Sequence, residues 1–159
     1  MTMVMRSVAA ALFVSVAHPG PAATLYVDDS VSVSGEGKSW ESAFKTIQEG
    51  IDAAASGDTV VVAEGTYVEN VQVNGKNITL TSVSPADPAV VAKTIIDGNK
   101  AGSVVTFDGT ETETCLLTGF TIQNGKAQYG GGITGGTPDR QCLATIRNNV
   151  FLRNRADGG

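Results

Sequence analysis

Histidine is almost missing from this chain of 159 residues: its single copy, His18, lies in an apolar N-terminal stretch. If that stretch is removed as a leader, histidine catalysis and histidine-ligated metal sites go with it. Basic residues are also short, 11 Lys and Arg against 16 Asp and Glu, and they are scattered. No stripe of positive charge can track a phosphate backbone, so nucleic acid is not an expected partner. After the N-terminal stretch there is no second apolar run of membrane length, which leaves no expected span in the mature chain. From Asp58 onward helical periodicity is missing too. This excludes a standard βαβ sheet, whose crossovers need helices. Aromatic and long charged residues are sparse, whereas the 19 glycines suit tight turns between stacked short strands.

The first 22 residues have the layout of a secretory signal peptide. Arg6 precedes the apolar stretch Val8 to Ala17, and a small-residue region ends at Ala22. Gly20 and Ala22 fit a cleavage after Ala22, whereas a cut after Ala23 would place Pro21 at the small-residue position. The expectation is an exported chain, secreted or held at the cell surface.

The remainder is expected to form one domain in two parts. Residues 23–57 open with the β-prone Leu25-Tyr26-Val27, pass through a polar loop from Asp28 to Lys38 with nothing to pack, and end in a helix. Thr46 with Glu49 three residues later makes a capping box. Ile47, Ile51 and Ala54 share one face with Ala55 alongside, and Gln48, Glu49 and Asp52 face away. Gly57 is placed to end the helix. Gly50 in its middle costs about 1 kcal/mol relative to alanine, so the helix must lean on something.

Residues 58–159 read as short strands alternating with turns. The strands fall at 59–63, 67–73, 77–83, 94–96 and 103–107, and Pro85 and Pro88 break the chain in a surface loop. A repeat then follows. Leu117-x-x-Phe120-x-Ile122-x-x-Gly125 is matched position by position, 29 residues later, by Ile146-x-x-Asn149-x-Phe151-x-x-Asn154, and Ala127 by Ala156. A unit of this length built from three short strands is one coil of a parallel β-helix, which buries its inner side chains only against the coil above. The fold expected is therefore all-β: a right-handed parallel β-helix, or solenoid, truncated after a few coils and incomplete at its C-terminus. The helix bearing Ile47, Ile51 and Ala54 would cap its open first coil. Phe151 is expected in the lumen, and Asn149 and Asn154 at corners where their side chains bond the backbone of the next coil. The uncovered last coil is expected to favour self-association.

At these residues the chain resembles a known group, the pectin-lyase-like right-handed β-helix proteins of bacterial secreted and surface polypeptides. The stretch "SWESAFKTIQEGIDAAASGDTVVVAEGTYVENV" over residues 39–71 is similar to their N-terminal cap and first coil. The pieces "GGGI" (residues 130–133) and "FLRN" (residues 151–154) resemble the paired GGA-I and F-x-x-N motifs of the polymorphic outer-membrane protein repeats. The chain departs from that surface pattern in having few F-x-x-N copies and no C-terminal membrane barrel. The resemblance implies either a scaffold that binds polysaccharide or a cell-surface component, or an enzyme cleaving acidic polysaccharide. An enzyme of the group needs clustered Asp residues for Ca²⁺ with an Arg or Lys base, or two convergent carboxylates.

The acids available for that chemistry are Asp97, Asp108, Glu111, Glu113 and Asp139, with Arg140 beside the last. No spacing among them forces convergence, and Glu111 and Glu113 stand in a Thr-rich loop that reads as solvated surface. No catalytic residue is therefore assigned, and active coils of a lyase or hydrolase would lie beyond Gly159. Asp28, Asp29 and Glu36 are the acids a Ca²⁺ ion would find, but they lack the regular ligand spacing of a dedicated loop. No cofactor is assigned. Cys115 and Cys142 share a local Cys-Leu-x-Thr string. Two cysteines a coil apart in an exported chain favour a disulfide, with two packed thiols as the alternative.

Overall fold

A computed structural model of the protein describes residues 20–137 and 139–158. Most of the leader assigned to residues 1–22, His18 included, lies outside the described residues.

The chain is predominantly β, and its sheets are parallel. The strands and helices in order are β1 (Thr24–Val27), α1 (Ile47–Ala53), β2 (Thr59–Val62), β3 (Gly65–Val68), β4 (Val71–Gln72), β5 (Thr79–Ser82), α2 (Pro88–Val91) and β6 (Thr94–Asp97). They continue with β7 (Val105–Phe107), β8 (Leu116–Thr118), β9 (Thr121–Gln123), β10 (Lys126–Ala127), β11 (Ile133–Gly135), β12 (Thr145–Arg147), β13 (Val150–Leu152) and β14 (Arg155–Ala156). Hydrogen-bonded neighbours run β1-β2-β5-β8-β12 in one sheet, β3-β6-β9-β13 in a second, β4-β7-β11 in a third, and β10-β14 as a pair. The chain thus visits the three larger sheets in rotation. From β2 onward, strands of the other sheets lie between one strand of a sheet and its parallel neighbour and serve as the crossover that parallel pairing requires, whereas β1 reaches β2 through a loop and α1.

Alternation of two builds the core. Leu25, Val60, Leu80 and Leu117 stand in register on β1, β2, β5 and β8, all buried. Tyr67, Ile96 and Ile122 do the same on β3, β6 and β9, and Val71 with Val105 on β4 and β7. These columns meet in one apolar cluster. The 29-residue offset appears as pairing: Leu117 opposite Ile146, Ile122 opposite Phe151, and Ala127 opposite Ala156. Register therefore puts Phe151 in the buried Ile122 column, yet it is 50% exposed because no described strand covers it.

Helix α1 buries Ile47, Ile51 and Ala54, whereas Ala55 is exposed. Its capping box is complete, since Thr46 Oγ1 accepts from the Glu49 N–H and Glu49 Oε2 from the Thr46 N–H. The helix is shorter than expected. It ends at Ala53 with Ala54 extended, because Asp58 draws the Ala55 N–H to its carboxylate; Gly57 is left-handed in the following turn. A Cβ on Gly50 would lie 2.8 and 2.9 Å from Val27 and Val60, so only glycine permits this approach.

Of the polar residues of α1, Asp52 is exposed as expected, but Gln48 and Glu49 are half-buried and engaged. Gln48 Oε1 accepts from the Gln72 N–H at 2.8 Å, and its Nε2 donates to the Gln72 carbonyl at 3.2 Å. One carboxamide thus serves the open edge of β4 as a neighbouring strand would. Glu69 accepts from the Ile47 and Gln48 N–H groups, and Lys76 donates to the carbonyls of Ile51 and Asp52. These contacts satisfy helix-end groups that have no partner within the helix.

Most of the loop from Asp28 to Lys38 is exposed, but Gly37 is buried against β1. Tyr26 donates its N–H to the Gly37 carbonyl and accepts the Phe44 N–H at its own, so this loop covers β1, while the Trp40 ring lies edge-on to Tyr26. The Pro85 and Pro88 loop contains the one-turn helix α2, capped by Asp87.

Candidate functional site

The two corner asparagines act as side-chain rungs. Asn149 Oδ1 accepts from the Phe120 N–H at 2.9 Å and its Nδ2 donates to the Leu117 carbonyl at 2.9 Å. Asn154 does the same with the Gly125 N–H and the Ile122 carbonyl, each at 2.8 Å. The bonds reach the preceding round of strands, not the following one. The residues just before the two asparagines, Asn148 and Arg153, take φ of 55°. At such corners strand pairing lapses, and a carboxamide supplies the donor and acceptor the ladder loses.

The acids considered for catalysis are dispersed and largely engaged. Glu111 is the principal correction to the sequence reading, because it is 1% exposed where a solvated loop was expected. Its carboxylate accepts from the N–H groups of Gly75, Asp108, Gly109 and Thr110, at 2.8 to 3.1 Å. Burial pushes its carboxyl up, but the backbone donors outweigh that and hold it below the ordinary value. Asp97 follows the same pattern. Burial raises it, and hydrogen bonds from the Asn99 N–H and the Asn124 and Gln123 carboxamides lower it by more. Asp108 meets Arg140 at 3.4 Å across successive rounds, both more than half exposed. Glu113 and Asp139 are exposed.

The acids proposed for a Ca²⁺ ion have other partners. Asp29 accepts the Thr66 N–H at the open edge of β3, Asp28 accepts the Ser30 N–H, and Glu36 pairs with Lys38 at 2.7 Å. No group of three or more potential metal ligands occurs among the described residues.

Cys115 and Cys142 are free thiols, so the expected bond is not formed in this structure. Cys115 is buried, and burial pushes its thiol up to about 11, with Glu111 and Cys142 adding repulsion. A thiol so rarely ionised at neutral pH attacks a disulfide slowly.

One solvent-facing surface combines concavity with ordered polar groups. On the sheet β4-β7-β11, Gln72, Thr106 and Thr134 stand side by side in register, with Asn74, Asp108 and Thr137 lining one end of the same shallow groove. The amide and hydroxyls repeat at the strand spacing of about 4.8 Å, and the charged Asp108–Arg140 pair marks the end. Phe107 reaches the lining but is itself buried, leaving no exposed ring as a stacking platform. Such a surface suits a hydroxyl-rich ligand bound by hydrogen bonds. Nothing in the sequence singled it out, because Gln72, Thr106 and Thr134 are ordinary strand residues until pairing aligns them.

Comparison with known proteins leaves this geometry to stand alone, as no family model, curated protein or solved structure matches the chain.

Proposed function

We propose that the protein is a right-handed parallel β-helix acting as a non-catalytic extracellular or cell-surface scaffold, with the groove of β4-β7-β11 binding polysaccharide or another surface component. The rotation of the chain through three parallel sheets supports the coil reading, and parallel crossovers are overwhelmingly right-handed. The leader-like residues 1–22 support export.

The observation that carries the non-catalytic role is the engagement of Glu111. The most buried acid of the chain already accepts four backbone N–H groups, and its depressed pKa is the opposite of what a general acid needs. The groove, by contrast, is lined mainly by neutral donors and acceptors, with Asp108 the one charged group among them.

The test is to run the mature chain through gels containing acidic or neutral polysaccharides, and to assay the same mixtures for new reducing ends and unsaturated products. Retardation by at least one polysaccharide is expected, weakened by Thr106→Val with Thr134→Val, and without product. Release of either product would overturn the non-catalytic role in favour of a lyase or hydrolase. Failure to be retarded by any polysaccharide would remove the glycan as ligand.

A further inference from the structure

We propose that the groove of β4-β7-β11 is specific for uncharged polysaccharide, and that Asp108 is the residue that sets this specificity. The inference rests on the reading of the groove as a glycan site and adds the class of glycan to it.

The groove lies on the outward face of the sheet, where Gln72, Thr106 and Thr134 stand in register. The carboxamides of Gln72 and Asn74 and the hydroxyls of Thr106 and Thr134 bond no other group among the described residues. The carboxamides of Gln48, Asn77, Asn149 and Asn154, by contrast, are taken up by the chain's own backbone. No lysine or arginine lines the groove. The nearest cation, Arg140, is held beside its end by paired backbone hydrogen bonds with Thr137, and its guanidinium faces the Asp108 carboxylate at 3.4 Å. The turns carrying Asn74 and Asp108 are fixed by one buried side chain, since Glu111 Oε1 accepts both the Gly75 and the Asp108 N–H.

These groups discriminate by charge. A carboxamide or a hydroxyl can both donate to and accept from a sugar hydroxyl, whereas the Asp108 carboxylate only accepts, so it takes a hydroxyl donor. A uronate carboxylate also only accepts. Placed at the Asp108 end it would form no hydrogen bond there and would meet a like charge, with Arg140 already paired and no second cation to offset it. The formal net charge of −5 acts in the same direction.

The test titrates the protein, in a calorimeter, with matched pairs of soluble polysaccharide that differ in charge. They are a β-glucan and a galactomannan, each native and with its C6 hydroxymethyl groups oxidised to carboxylates, and polygalacturonate with its methyl ester. The uncharged member of a pair is expected to bind at least about tenfold more tightly at low salt, and the gap should narrow as salt is added. Asp108→Asn should shrink the gap, because it leaves Arg140 free to meet a carboxylate. Arg140→Gln should widen it without weakening the uncharged member. Both substitutions fall on an exposed ion pair and should leave thermal melts nearly unchanged. Loss of structure cannot imitate shifts of opposite sign. Equal binding within a pair, or tighter binding of its charged member, overturns the proposal while leaving the groove a glycan site. An unchanged gap in Asp108→Asn overturns the role of that residue. If no member of any pair binds, the glycan reading itself fails and this inference falls with it.

Discussion

The first and last described rounds of the stack differ in how their strand edges and apolar interiors are covered. At the front, three sheets begin, and each leaves a strand with unpaired N–H and C=O groups. The residues before β2 cover all three: the backbone at Gly37 and Phe44 on β1, Asp29 on β3 and the Gln48 carboxamide on β4. Ile47 and Ile51 lie over the apolar interior at zero exposure. At the rear, Ile146, Val150, Phe151 and Leu152 are each more than 40% exposed, and β12 and β13 have no described strand beyond them. A bare sheet edge is a pairing site, and among the described residues only the front edges are covered in this way.

The largest test of that asymmetry is a charge placed at each end. Ile51→Asp buries an unpaired carboxylate and should cost about 4 kcal/mol or detach α1. Phe151→Asp puts the same charge on a half-exposed position and should cost under about 1.5 kcal/mol. Denaturant melts of both variants, with the exposed Asp52→Ala as a control within about 0.5 kcal/mol, decide it. Equal losses from Ile51→Asp and Asp52→Ala would mean that α1 covers nothing.

A smaller effect isolates the edge from the apolar interior. Gln48→Leu removes the side chain serving both polar groups of Gln72 while keeping helix propensity, and about 1–2 kcal/mol should be lost. Its more specific signature is faster exchange of the Gln72 amide, with the Thr106 amide unchanged. If the Gln72 amide stays protected, water or a neighbouring group suffices and the carboxamide is not a substitute strand.

The smallest expected effect is on pH dependence, where an acid of the covered front opposes one inside the stack. Glu111 is held below its ordinary value, so its contribution is complete above that value and is lost as pH falls through the depressed one. Glu69, at the start of α1, is raised chiefly by burial, which outweighs the Ile47 and Gln48 N–H donors. Its ionisation therefore costs stability as pH climbs from the ordinary value through the raised one. Thermal melts from neutral into acid should show Glu111→Gln with a shallower acid loss than the parent. Glu69→Gln should show a steeper one, because it removes a term that favours the fold as pH falls. Parallel curves for all three proteins would contradict both assignments.

Parts of this arrangement were legible in the residues because their causes are local. Thr46 and Glu49 are three apart on one helical turn, and their capping box follows from that spacing alone. The buried strand expected at residues 59–63 and the offset joining Leu117 to Ile146 likewise become β2 and a strand pair, although β2 buries only alternate residues, Val60 and Val62. The first two rounds hid the same regularity. Thr59 pairs with Thr79 and Thr79 with Leu116, offsets of 20 and 37, because loops of different length are inserted between like strands.

The sequence by itself therefore determined short parallel strands, the offset that pairs the last of them, and a helix with a defined start and buried face, since each depends on neighbours within a few residues or on a constant offset. Only the tertiary structure decided that Glu111 is a buried acceptor, that Gln48 completes β4, that Asp29 closes β3, and that Gln72, Thr106 and Thr134 line up. Each of those contacts joins residues brought together by stacking across loops of unequal length. A polar side chain looks the same in sequence whether water or a distant backbone N–H is its partner.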